Sequence, residues 1–164
     1  MAITKDKKRE IVAKLAQAFK EASSVTFVGF TKLTVANASK MRKELADAGV
    51  RMYVAKKTLI RKALETQGYT GTVPELPGEV AVAWTAGDVT APSRGVYDYS
   101  KKLKNMLTLL GGVFEGAFVN AAEMTAIATI PPVPVLRGMF VNVLNSPIQG
   151  FVTALDKIRE KKAI

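Results

Sequence analysis

Residues 131–134 read Pro131-Pro132-Val133-Pro134, a run through which no helix or strand is expected to pass. Each proline lacks a backbone N–H, fixes its own φ and pushes its predecessor toward extended backbone. The run divides the chain into two parts with different periodicity. Before it, short apolar stretches alternate with amphipathic ones. After it, apolar residues recur at three- and four-residue spacing almost to the end.

The first part reads as alternating helices and strands. Residues 5–21 carry Ile11, Leu15, Phe19 and Ala22 on one helical face, and residues 24–30 are rich in strand formers. Thr34 is placed to cap a helix over 35–48, and Gly49 to close it. Residues 50–54 alternate as a strand, and Leu59, Ile60, Ala63 and Leu64 mark a helix that stops near Gly68. After a loop over 69–78, Glu79–Thr85 reads as a buried strand and 88–104 as a helix with Pro92 in its first turn. Two short strands are expected near 107–110 and 113–119. Asn120-Ala121-Ala122-Glu123 has the form of a capping box for a helix ending near Ile130. The pattern predicts an α/β fold over residues 1–130, a mixed sheet packed with helices. A proline-rich hinge, 131–134, and a long protruding C-terminal α-helix, 135–164, complete the expected organisation.

Two residue types are missing from all 164 positions: histidine and cysteine. Their absence removes the usual general base, the thiolate nucleophile and most transition-metal ligands, and with them the Ser-His-Asp and Cys-His arrangements. No phosphate-binding loop of the Gly-x-x-x-x-Gly-Lys-Ser/Thr form occurs, and Gly111-Gly112-Val113-Phe114-Glu115-Gly116 lacks dinucleotide-fingerprint spacing. The expectation is a non-enzyme with no cofactor and no metal. Without cysteine there is no disulfide framework, which fits a reducing compartment. The first residues lack an apolar signal core, and the uncharged run 138–155 holds Asn142, Asn145, Ser146, Pro147, Gln149 and Thr153, making it a poor membrane span. A cytoplasmic protein that does not enter a membrane is expected.

The charge is segregated. Residues 1–62 hold fifteen Lys/Arg against five Asp/Glu and so carry the entire net charge of +10; the remaining 102 residues hold nine of each. Concentration on one segment is the footprint of a surface that neutralises phosphates. Lys32 lies where the first strand turns into a helix, and Lys56, Lys57, Arg61 and Lys62 lie along the start of another, with Lys57 and Arg61 four apart on one face. No aromatic-rich platform for single strands is evident in the sequence, so folded RNA read through backbone and shape is expected.

In the last segment Phe140-Val141-Asn142-Val143-Leu144 recurs as Phe151-Val152-Thr153-Ala154-Leu155, eleven residues on and hence nearly on the same helical face. Leu136, Phe140, Leu144, Ile148, Phe151, Leu155 and Ile158 form a stripe at helical spacing. Such a stripe ordinarily packs on a chain's own core. Its length and its repeated pair of anchors favour two copies of one docking site instead. Gly138, Pro147 and Gly150 are expected to bend or weaken the helix.

Leu33-Thr34-Val35, Met41-Arg42-Lys43-Glu44-Leu45 and Ala48-Gly49-Val50 together resemble the bacterial large-subunit ribosomal protein ten family. Lys56-Lys57-Thr58-Leu59-Ile60-Arg61-Lys62-Ala63-Leu64 is similar to that family's Lys-Asn-Thr-Leu-Leu-Arg-Arg-Ala pattern, and Gly111–Gly116 to its Gly-Gly-x-x-Glu-Gly strand turn. The resemblance runs in order along essentially the whole chain. It implies a stalk-base protein that binds large-subunit rRNA beside ribosomal protein eleven. It further implies that the tail helix carries dimers of the acidic stalk protein seven/twelve, two by the repeat, which recruit GTP-bound translation factors. Carried over by position, the rRNA candidates are Lys32, Arg42, Lys43, Lys56, Lys57, Arg61 and Lys62. The docking candidates, taken with the stripe, are Leu136, Phe140, Val141, Leu144, Ile148, Phe151, Val152 and Leu155. The chain departs from the pattern in Thr31-Lys32, where the family usually has Arg-Gly, in Gly78-Glu79 for Gly-Pro, and in a tail that lacks an acidic first turn. A nucleic-acid-binding regulator with a partner-binding C-terminal helix is the alternative reading, although no helix-turn-helix signature is evident.

Overall fold

The computed structural model describes residues 4–71, 74–103 and 106–162. In chain order the elements are α1 (Lys5–Glu21), β1 (Ser24–Phe30), α2 (Val35–Asp47), β2 (Arg51–Val54), α3 (Lys57–Glu65) and β3 (Glu79–Thr85). There follow α4 (Ala91–Lys102), β4 (Leu107–Phe114), β5 (Ala117–Asn120), α5 (Ala121–Ala128) and α6 (Val133–Lys162). They fall into two compact units, Met1–Ile130 and Pro131–Ile164.

The first unit is α/β. Its sheet has the order β2-β3-β1-β4-β5, and all four strand pairs are antiparallel. The sequence suggests strand–helix–strand crossovers, and these exist. β1 and β2, joined by α2, run parallel, as do β3 and β4, joined by α4. In each case an antiparallel strand is inserted between the two, β3 in the first and β1 in the second, so no parallel neighbours result and the expected mixed sheet is purely antiparallel.

β1 lies at the centre and is buried on both faces. Val25 and Phe27 point to a cluster with Leu15 and Phe19 of α1, Ile60, Ala63 and Leu64 of α3, and Val80 and Val82 of β3. Val28 points the other way, to Met41 and Leu45 of α2, Val96 and Tyr99 of α4, and Ala81 and Ala83. Period-2 alternation in β1 and β3 therefore serves two apolar layers, which is why both strands read as continuous apolar runs. Met124 of α5 meets the sheet on the second face, where the Thr26 hydroxyl approaches its sulfur at 3.9 Å.

Local signals place most boundaries. The Thr34 side chain accepts from the Asn37 N–H at 3.4 Å at the start of α2, and Gly49 follows its end with φ 75°. Glu123 reaches back to the Asn120 N–H at 3.0 Å to open α5. The helix expected from Asp88 begins at Ala91, because Asp88 turns its carboxylate forward to accept from the Thr90 N–H and hydroxyl at 3.0 and 2.9 Å.

Gly111 and Gly112 do not break the chain into two strands; β4 runs through them. A β-bulge beside Phe27/Val28 absorbs Leu110, and Gly112 crosses β1 so closely that a Cβ would stand 2.2 Å from the Val25 carbonyl oxygen and 2.4 Å from Met124 Cε. The turn falls instead at Glu115-Gly116, both left-handed (φ 51° and 82°), the geometry of a type I′ hairpin.

The second unit is α6 alone. Its 30 residues begin at Val133, two earlier than residue 135, because a proline in the first turn forfeits no helical bond. The N–H groups of Val135 and Leu136 both donate to the Pro132 carbonyl, at 2.9 and 3.0 Å. Helical conformation continues through Gly138, Pro147 and Gly150. Pro147 withholds the N–H that would bond the Val143 carbonyl.

Candidate nucleic-acid interface and docking helix

β1 and β2 run in the same direction, so the segments leaving them emerge at one end of the sheet. Lys32 leaves β1, and Lys56 and Lys57 leave β2, two strand spacings or roughly 10 Å across. All three are exposed. Lys32 has a left-handed backbone, φ 54°, at the position where the family pattern has glycine. Lys56 is the residue before α3 and offers no side-chain cap; Leu59 and Ile60 make the first helical bonds to its carbonyl, at 2.9 and 3.1 Å. The N–H groups of Lys57 and Thr58 thus stand at the positive end of the helix beside two lysines, an arrangement that an anion relieves.

Arg61 and Lys62 continue this surface along α3. Leu59, Ile60, Ala63 and Leu64 bury the opposite side of the same helix, so the cations are held outward by the packing. Lys62 also borders a groove of about 500 Å³ between α3 and α1 whose rim includes Lys5, Lys8 and Arg9. Those three are absent from the candidates read in sequence; their signal is the polar side of the first amphipathic helix. Arg42 and Lys43 are exposed on α2, which packs on the other face of the sheet. The fold therefore brings Lys32, Lys56 and Lys57 to one end of the sheet, continues that surface through Arg61 and Lys62 on α3, and leaves Arg42 and Lys43 apart on α2. Among the described residues the ion pairs are Glu10–Lys14 and Asp88–Arg94, and neither uses a candidate. Lys14 donates to Glu10 at 2.6 Å, which holds the Glu10 carboxyl below its ordinary range and the Lys14 ammonium above its own.

On α6 every docking candidate is exposed, from 39% for Leu136 to 67% for Phe151. At 100° per residue the eight fall within a sector of about 160°, and Phe140 and Phe151 are offset by about 20° and separated by about 16 Å along the axis. Val133, Val135, Met139 and Val143 are exposed too, so apolar surface spreads beyond the stripe in the first half of the helix. No single helix among the described residues is long and apolar enough to cross a membrane.

A family model described as Ribosomal protein L10 matches residues 3–101, which span α1 to α4 and include all seven basic candidates. The large ribosomal subunit protein uL10 of Shouchella clausii is 34% identical over 157 residues, 96% of this chain and 94% of the relative. This chain belongs to the ribosomal protein L10 family. The uL10 proteins of Staphylococcus carnosus (32% identical, 94% of this chain and 93% of the relative) and Lactobacillus johnsonii (34%, 95% of each) are similar over the same extent. Similarity to these uL10 relatives thus reaches into α6, past the family-model match. Members of the L10 family are structural components of the ribosome rather than enzymes.

Proposed function

We propose that the chain is a structural constituent of the large ribosomal subunit in the cytoplasm, where its first unit binds rRNA at the stalk base and α6 anchors dimers of the acidic stalk protein. The observation that carries this reading is the division of labour within one chain: all net charge sits within residues 1–62, while α6 holds its large apolar side chains in water. The first feature suits phosphates, whose neutralisation releases counterions. The second suits protein partners, because each large apolar side chain left exposed forgoes about 1.5–3 kcal/mol of burial. Ribosomal protein eleven is the expected neighbour on the rRNA, and GTP-bound translation factors are reached only through the acidic dimers.

The RNA half of the reading is tested with a 1–130 fragment and stalk-base rRNA. The fragment is expected to bind unaided. Lys56→Glu, Lys57→Glu and Arg61→Glu together are expected to abolish binding while the circular dichroism spectrum is retained, since all three side chains are exposed. Milder, charge-neutral changes at the same positions lower the salt dependence by about one unit of slope or slightly less for each phosphate left unneutralised. Wild-type binding by the folded triple variant would remove the interface from this end of the sheet.

A further inference from the structure

The sequence offers no run of aromatic residues for stacking on bases, yet the fold assembles a small one. β2 and β3 pair with Tyr53 opposite Val82 and Arg51 opposite Trp84, so Tyr53, Arg51 and Trp84 share one face of the sheet at its β2 edge. Tyr53 is 43% exposed and Trp84 half-buried. With Ile11, Lys14 and Leu15 of α1 the two rings line a hollow of about 210 Å³. A second hollow of about 600 Å³ shares Ile11 and Tyr53 and leads to Lys56 and Lys57 at the cationic end of the sheet. Glu79 also borders it, and Glu10 is engaged by Lys14.

We propose that Tyr53 and Trp84 form a stacking site for an unpaired nucleobase, with Arg51, Lys56 and Lys57 holding the phosphates on either side. The proposal deepens the RNA-binding reading and rests on it. An exposed tyrosine and a half-buried tryptophan lining one hollow, beside cations that form no ion pair among the described residues, suit a single-stranded nucleotide, and stacking tolerates any base. An apolar peptide would find the same hollow but would leave Arg51, Lys56 and Lys57 without counter-charges. Aromatics scattered singly in sequence, 31 positions apart, become neighbours only through strand pairing.

Trp84 is the only tryptophan in the chain, so its fluorescence reports this site alone. The full-length protein is titrated with short single-stranded oligoadenylate, with an abasic sugar-phosphate oligomer of equal length, and with stalk-base rRNA. Oligoadenylate is expected to quench Trp84 strongly and the abasic oligomer weakly. Tyr53→Leu, which keeps an apolar side chain without a ring, is expected to weaken oligoadenylate binding by roughly 5- to 150-fold, and Tyr53→Phe to retain it. Equal response to the abasic oligomer, binding without change in Trp84, or unaltered binding by folded Tyr53→Leu overturns the stacking site. If rRNA still binds in any of those cases, the stacking site alone falls; if rRNA fails to bind at all, the RNA-binding reading falls with it.

Discussion

Phe27 and Phe151 are the same residue in opposite circumstances. Phe27 is 0% exposed between α1, α3 and the sheet, whereas Phe151 on α6 is 67% exposed. The first unit hides its apolar side chains on both faces of a sheet and has a core of its own. The second is a single helix, and a single helix has no interior. Similar hydrophobicity therefore has two outcomes in one chain: in residues 4–130 it builds a core, and on α6 it stays in water.

The contrast is sharpened most by truncating both side chains. Phe27→Ala is expected to cost about 3–5 kcal/mol of unfolding free energy, a large part of the stability of a small domain. Phe151→Ala in the free protein should change the unfolding free energy by less than about 0.5 kcal/mol in the same denaturant titration. A large loss from Phe151→Ala would mean that α6 is packed in the free chain and would erase the distinction.

A smaller effect comes from Tyr99 in the second apolar layer. It is 8% exposed, and its buried hydroxyl has no partner within hydrogen-bond geometry. Burial, with the nearby Glu44 carboxylate adding to it, pushes the phenol up to about 12 from an ordinary 10.0. The neutral form is the one the fold accepts. Stability from this group is therefore complete below pH 10 and drains away as pH rises from 10 toward 12. Tyr69, whose hydroxyl donates to the Phe19 carbonyl at 3.0 Å, is raised by burial too and adds to the alkaline loss. Tyr99→Phe is expected to be neutral or stabilising by about 1 kcal/mol at pH 7 and to reduce the loss above pH 10. A pH–stability profile unchanged by the substitution would contradict this assignment.

Smaller still is Lys32. Its left-handed backbone costs a residue with a Cβ on the order of 1 kcal/mol, which glycine avoids. Lys32→Gly should raise the stability of the first unit by about that amount while weakening rRNA binding, since it removes one cation. Stability and binding moving together would show that the turn stores no such strain.

How much of this was legible in the sequence follows from how far each signal reaches. α1, β1 and β3 begin and end where periodicity and turn residues place them, because their signals are local. Gly111 and Gly112 misled for the opposite reason: what demands glycine there is the Val25 carbonyl and the Met124 methyl, contributed by distant segments. The antiparallel insertion of β3 and β1 into the two crossovers is likewise a matter of pairing, which alternation of helix and strand does not specify. The basic candidates were legible as a charged segment, yet only the fold separates Arg42 and Lys43 on α2 from the group on α3. It also adds Lys5, Lys8 and Arg9 to Lys62 and sets Tyr53 beside Trp84. That residues after the proline run form one long helix was legible, since helical periodicity is a signal local to the segment.

The anchoring proposed for α6 rests on two docking sites about 16 Å apart along its axis. Native mass spectrometry of the full chain mixed with the acidic stalk protein tests it most directly. One chain with four copies of the stalk protein is expected. Phe151→Ala with Leu155→Ala should leave one chain with two copies, and Phe140→Ala with Leu144→Ala should do the same. A wild-type chain that binds no stalk dimer, or a chain truncated after Pro134 that keeps the full stoichiometry, would contradict the account.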